Sequence, residues 1–189
     1  MKTTLLFLLA IGLSVSTATA QTDATKLTFS SDSKMWVTGT STVHDWKCDV
    51  KDVTGSVTAR VSDGVSAISA GTFSVPVENI DCDSRTMNKK VNEALNDKNT
   101  PTISFTIESA TIGDQIEVTG ALTLAGVTKQ LVFPVTAAQA GNTLTFKGEV
   151  PVVMSNFNVD PPTAMLGTLK TGDEVKVHFE IVTNIPDAQ

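Results

Sequence analysis

From Val53 to Ile181 the sequence keeps changing sides. Val53, Gly55, Val57, Ala59 and Val61 alternate with Thr54, Ser56, Thr58 and Arg60, the two-residue period of a β-strand with one dry and one wet face. Ile103, Phe105 and Ile107 repeat the pattern against Thr102, Ser104, Thr106 and Glu108. Ile116, Val118, Gly120, Leu122 and Leu124 form a further apolar face, which resumes after Ala125-Gly126 with Val127, Leu131, Phe133 and Val135. A hairpin with a tight, glycine-containing connection is predicted there. Leu144, Phe146, Gly148, Val150 and Val152 supply another strand, and Val175, Val177, Phe179 and Ile181 the last. Earlier in the chain, Leu27 with Phe29, and Met35 with Val37, suggest an N-terminal pair. Between Ile68-Ala70 and Phe73-Val75-Val77 the phase slips near Gly71, where a bulge is expected.

One stretch has the helical period instead. In DSRTMNKKVNEALN, Asp83 or Ser84 supplies an N-cap, and Met87, Val91, Ala94 and Leu95 share one stripe. The helix ends at Asn96, ahead of Asn99-Thr100-Pro101, and a shorter helical or irregular segment is expected around Met154–Asn158. About eight strands with one apolar face each must hide that face, either by closing into a barrel or by stacking as two sheets. Glycines recurring inside strands, at 39, 55, 71, 120 and 148, favour strong curling, so the expected fold is an all-β antiparallel barrel. A barrel of this size is either filled by its own side chains or holds one small ligand.

The chain opens MKTTLLFLLAIGLSVSTATAQ: a lysine, an apolar run from Leu5 to Val15, and Ala18 and Ala20 in the arrangement that signal peptidase reads. Residues 1–20 are therefore read as a signal peptide and 21–189 as one domain, exported to the periplasm or secreted. The apolar run is too short to span a membrane, which takes ~20 residues, and nothing later approaches one. No cysteine stands near the cleavage point, which argues against a lipid-anchored lipoprotein. Losing Lys2 with the leader takes the net charge from -6 to -7, a sign that disfavours nucleic acid or an anionic membrane surface as partner. Cys48 and Cys82 are the two cysteines of an exported chain, so a disulfide is the default reading and two separate buried thiols the alternative. Closing that loop of roughly 35 residues stabilises by about 3 to 4 kcal/mol in the chain-entropy treatment.

The stretch TVHDWKC, Thr42 to Cys48, has the ingredients of nucleophilic catalysis. A thiol nucleophile must be free, however, and a disulfide at Cys48 removes it. His44 is read first as a structural or exposed loop residue, with a head-group contact and catalysis as alternatives. Trp46 is read as packing at a barrel corner, against a place at a tunnel rim. His178 falls on the polar side of its strand, between Lys176 and Glu180, and is expected outside the barrel. No metal site is assigned, since one histidine beside Asp45 lacks convergent ligands, and the acidic runs at 113–117 and 172–174 lack calcium-loop spacing. Asp81 and Asp83 flank the helix start, where capping and the helix dipole account for them. No phosphate loop or cofactor motif is present. Pro134 and Pro151, within strands but without amide donors, point to sheet edges or bulges.

The segment GALTLAGVTKQLVFPV, Gly120 to Val135, resembles the G-x-L-T-L-x-G-V-T-K hairpin of the YceI-like family of bacterial periplasmic, polyisoprenoid-binding proteins. NTPTISF, Asn99 to Phe105, is similar to that family's proline-led strand after its helix, and the order of elements matches along essentially the whole mature chain. The helix, SRTMNKKVNEAL, departs from the family's R-D-x-H-L pattern, and GTSTVHDW resembles a variant subgroup. The resemblance implies a lipocalin-like barrel whose helix covers an opening, and an apolar tunnel for the tail of an isoprenoid lipid, a quinone or a similar acyl-tailed amphiphile, with no catalysis. On that reading the tunnel is lined by Met87 and Val91 from the helix and by Phe105, Ile107, Leu122, Leu124, Leu131, Phe133, Phe146 and Phe179 from the strands. The alternative is an envelope structural or protein-interaction module with a solid core. Dimerisation through an edge or the outer face is compatible with either.

Overall fold

The structure, a computed structural model, describes residues 23–164 and 168–186. The expected leader, 1–20, lies outside the described residues. In chain order the elements are β1 (Thr25–Thr28), β2 (Lys34–Ser41), β3 (Trp46–Val50), β4 (Thr54–Ser62), β5 (Gly64–Pro76), β6 (Ile80–Asp81), α1 (Arg85–Ala94), β7 (Thr102–Ile112), β8 (Ile116–Leu124), β9 (Val127–Ala140), β10 (Thr143–Val153), β11 (Thr163–Ala164) and β12 (Leu169–Asn184). All strand pairings are antiparallel, in the order β1-β4-β5-β7-β8-β9-β10-β12-β2-β3-β6, with β11 on β12. The sheet curls until β1 meets β12, where Phe29 bridges Thr183 and the Ser30 amide donates to the Val182 carbonyl at 2.7 Å. Eight strands thus make a ring, and β2, β3 and β6 extend the wall along the rest of the β12 edge. Among the described residues no helix is long and apolar enough to cross a membrane.

The strand count is twelve rather than about eight: β6 and β11 have two residues each, too few for alternation to register, and β3 lies in the stretch around Trp46 that the sequence reading places at a corner. The two N-terminal strands exist but do not pair with each other: β1 lies on β4, and β2 lies between β12 and β3. The bulge falls at Ser69, since Thr58 faces Ala70 while Ala59 faces Ile68. Gly71 stays in register instead, opposite Val57 and Ile107, because a Cβ there would lie 2.6 Å from the Ile107 Cδ1. The prolines do mark edges. Pairing of β9 with β10 stops at Gly148–Val135, so Pro134 and Pro151 stand where the two strands have parted.

The predicted hairpin has a two-residue connection: Leu124 faces Val127, and Ala125 and Gly126 both take positive φ, 49° and 81°, which matches the twist of the flanking strands. At the end of the ring where β1 meets β12, Leu27, Ala59, Leu144 and Thr183 are fully buried. Thr183 satisfies its hydroxyl there by donating to the Leu144 carbonyl at 3.3 Å. Buried side chains pack that end of the barrel.

The other end carries α1. Ser84 caps it, accepting from the Met87 amide at 3.4 Å, and Asn96, with φ 55°, ends it. Its root is fastened twice. Cys82 is disulfide-bonded to Cys48 on β3, and the Asp81 carboxylate accepts from Lys51 Nζ at 2.5 Å, Asn88 Nδ2 at 3.0 Å and the Asp83 amide at 3.1 Å. The hydrogen bond from Lys51 above all, then those from Asn88 and the Asp83 amide, holds the Asp81 pKa down to about 2. A carboxyl lowered in the folded state contributes stability that is complete above its ordinary range and lost as pH falls through the folded value. Protection of the α1 amides from hydrogen exchange should therefore weaken as pH falls from about 4 to about 2, starting at the ordinary carboxyl pKa. Asp81→Asn should weaken that protection at neutral pH and flatten its acid dependence.

Candidate ligand-binding cavity

The inward face of the ring carries one aromatic side chain after another. Phe73 on β5 stacks on Phe105 of β7, with centroids 5.5 Å apart and planes at 24°. Phe105 tilts against Phe133 of β9 at 5.5 Å, and Phe133 meets Phe179 of β12 edge-on at 6.2 Å. Such contacts contribute about 0.5 to 1.5 kcal/mol each beyond burial. The rings fit because glycines on neighbouring strands give them somewhere to lie. A Cβ on Gly120 would come within 2.3 Å of the Phe105 ring, and one on Gly148 within 2.5 Å of the Phe179 ring. Gly120→Val should force Phe105 out of its seat and cost about 1 to 3 kcal/mol, measurable by urea unfolding at unchanged secondary structure.

The rings line the interior without filling it. An inner cavity of about 120 Å³ is bounded by Phe29, Phe105, Phe133, Phe146 and Phe179 with aliphatic neighbours. An outer cavity of about 310 Å³ lies beneath α1. Met35, Phe73, Leu122, Val152 and Val177 border both, so the two chambers adjoin at that waist. Interiors normally pack to crystal-like density. At ~24 cal/mol per Å³, even the smaller chamber represents about 3 kcal/mol of packing left unrealised.

The structure brings all ten residues of the anticipated lining to these chambers. Phe105, Ile107, Leu131, Phe133, Phe146 and Phe179 face the inner one, Met87, Val91 and Leu124 the outer, and Leu122 both. The sequence reading left out Phe29, Met35 and Phe73, and the cation Lys90. Lys90 could have been found. It stands three residues after Met87 and four before Ala94, on the same helical stripe, so a charge there has to sit at an opening.

The opening is built by three segments. α1 contributes Met87, Lys90 and Val91; the turn after β2 contributes Val43, His44 and then Trp46; and Pro162, Thr163, Leu169 and Lys170 come from the β11–β12 side. Ser41 holds the turn, its hydroxyl donating to the His44 carbonyl at 2.7 Å and accepting from the His44 amide at 3.2 Å. Thr42 and Lys170 tie it to β12: the Thr42 amide donates to the Lys170 carbonyl at 3.0 Å, and the Lys170 amide to the Thr42 hydroxyl at 3.2 Å. Val43, 63% exposed, is the turn's tip. Lys90 reaches across from the helix and donates to the Thr163 carbonyl at 2.7 Å. Trp46 lies at this rim, its indole N–H donating to the Thr40 carbonyl at 3.1 Å and its ring over Gly39.

No nucleophile is assembled in TVHDWKC. Both cysteines are in the disulfide, and His44 faces the Asp45 backbone rather than its carboxylate, with Nδ1 2.8 Å from the carbonyl oxygen. A carbonyl only accepts, so Nδ1 carries the proton and Nε2 is left toward the opening's surroundings. Among the described residues, no three of His, Cys, Asp and Glu gather as metal ligands. His178 is on the outer face as expected, stacked on Trp36 at 5.2 Å, 2.9 Å from the Thr38 hydroxyl and 3.3 Å from Glu149.

The profile of the YceI-like domain matches residues 18–183. The chain belongs to the YceI-like family. Among solved structures, the YceI-like fold seen here is similar to BcnA of Burkholderia cenocepacia, with TM-score 0.67 and 24% identity over 79% of this chain and 95% of that one. It is similar also to a polyisoprenoid binding domain from Saccharophagus degradans, described as implicated in plant cell wall breakdown, with TM-score 0.68 and 10% identity over 87% and 100% of the two chains. The YCEI protein of Campylobacter jejuni gives TM-score 0.61 and 17% identity over 74% and 85%. No curated protein matches the sequence. At these identities the structural likeness concerns the fold; the rim of this YceI-like barrel is formed by Val43, His44, Trp46, Lys90 and Lys170.

Proposed function

We propose that this protein is an exported carrier or sequestering protein of the bacterial envelope that binds a hydrophobic molecule with an isoprenoid or acyl tail, without covalent chemistry. The observation that carries this reading is the adjoining pair of apolar chambers, walled chiefly by phenylalanine and aliphatic side chains, with Lys90, Lys170 and His44 at the α1 end. Burying a tail there yields ~25 cal/mol per Å² of apolar surface, and edge groups fix the head. Family membership supports the reading, as does the fold shared with a domain described as polyisoprenoid binding. Export rests on the leader-like residues 1–20 and on a disulfide, which persists outside the reducing cytoplasm.

The test is mass spectrometry on an organic extract of protein purified from its native source, with uptake assays using polyprenols and quinones. A tailed lipid should be recovered in near-stoichiometric amount. An empty extract combined with no uptake of either lipid class would sink the proposal.

A further inference from the structure

The outer chamber has a charge pattern at odds with the rest of the chain. The protein carries 20 acidic residues against 14 lysines and arginines, yet the side chains with titratable groups at this opening are Lys90, Lys170 and His44, and no carboxylate lines the chamber among the described residues. The three come from three separate segments, α1, β12 and the turn after β2, so no local repeat of the sequence explains their convergence. Two of them are positioned by backbone contacts. Lys90 spends one of its three N–H donors on the Thr163 carbonyl at 2.7 Å and keeps two, while the His44 ring is oriented by the Asp45 carbonyl at 2.8 Å. Behind them the wall is apolar down to the waist.

We propose that the guest's head group is an anion of the phosphate or carboxylate type, held at the opening by Lys90 and Lys170 with His44 beside them. This rests on the tail-binding reading above. A tail in the chambers leaves its head among ammonium groups with spare donors, and hydrogen bonds from an ion to an ion are about twice as strong as neutral ones. An uncharged hydroxyl head can accept a hydrogen bond from one of these lysines but gains none of the ion-to-ion attraction that an anion draws from both. Because Lys170 is exposed, salt screens part of the attraction.

The experiment compares two probes with one tail, farnesyl phosphate and farnesol, on the full mature protein, followed by Trp46 fluorescence and by calorimetry, with inorganic phosphate as a third probe. Farnesyl phosphate should bind at least tenfold tighter than farnesol. The double variant Lys90→Gln, Lys170→Gln should erase that ratio, with an unchanged circular-dichroism spectrum and melting temperature reporting that the barrel is intact, and raised salt should shrink the ratio in the native protein alone. Equal affinity for the two probes, or a ratio that survives the double substitution, overturns the anionic head while leaving the tail reading standing. Binding of neither probe overturns both. Displacement of farnesyl phosphate by inorganic phosphate at comparable concentration would assign the cations to a free anion and overturn a lipid head.

Discussion

Replacing Cys48 and Cys82 together by serine, or reducing their bond, should lower the free energy of unfolding by about 3 to 4 kcal/mol, the entropy released when a loop of this length opens in the unfolded chain. The two residues are separated by 34 positions and join β3 to the segment that leads into α1. The loss should not be spread evenly. Ser84 and the Asp81 cluster remain to hold the helix root, but their hydrogen bonds are part-buried or exposed and individually modest. Denaturant unfolding followed by tryptophan fluorescence measures the global loss. Hydrogen exchange should then show α1 opening well below the global transition while β7, β8 and β9 stay protected. A double-serine protein with unchanged stability and an equally protected α1 would show that the staple is dispensable.

The second large effect concerns the waist. Leu122→Trp adds bulk where the two chambers adjoin and should separate them, at a stability cost of about 1 to 3 kcal/mol for overfilling. Long tails should lose affinity by more than tenfold, since each methylene kept out of the inner chamber forfeits about 0.8 kcal/mol. Tails short enough to end in the outer chamber should bind as before. Val132→Trp, at an exposed site on the outer face of β9, is the matched control and should change neither class. Titrating a series of isoprenoid alcohols of increasing length against both variants gives the answer: a native curve that rises with length, and a Leu122→Trp curve that levels off early.

What was legible in the sequence follows from how far each signal reaches. Alternation is local, so the faces of β4, β7, β8, β10 and β12, and the turn at Ala125-Gly126, could be read residue by residue. All ten expected lining residues reach the interior because inward and outward positions are set by that same two-residue period. Partner choice is not local. Nothing near Leu27 says that β1 will lie on β4 and meet β12 about 155 positions away, because that contact exists only once the sheet has curled. Phe73 was legible on its apolar face with Val75 and Val77, but not its stacking on Phe105, and the Gly120–Phe105 fit was hidden because a glycine's use depends on the strand beside it. The opening was the least legible part: Lys90, His44 and Lys170 carry no shared motif, and only the fold makes them neighbours of one space.

The plug formed by Leu27, Ala59, Leu144 and Thr183 has a directional consequence. With buried side chains packed at that end of the pouch, a guest of the proposed kind would enter and leave at the α1 end, its greasy end leading on the way in and trailing on the way out. Under the proposed function a recipient would meet the head of the cargo first and would have to draw the remainder past α1, so the ease with which that helix yields would govern release.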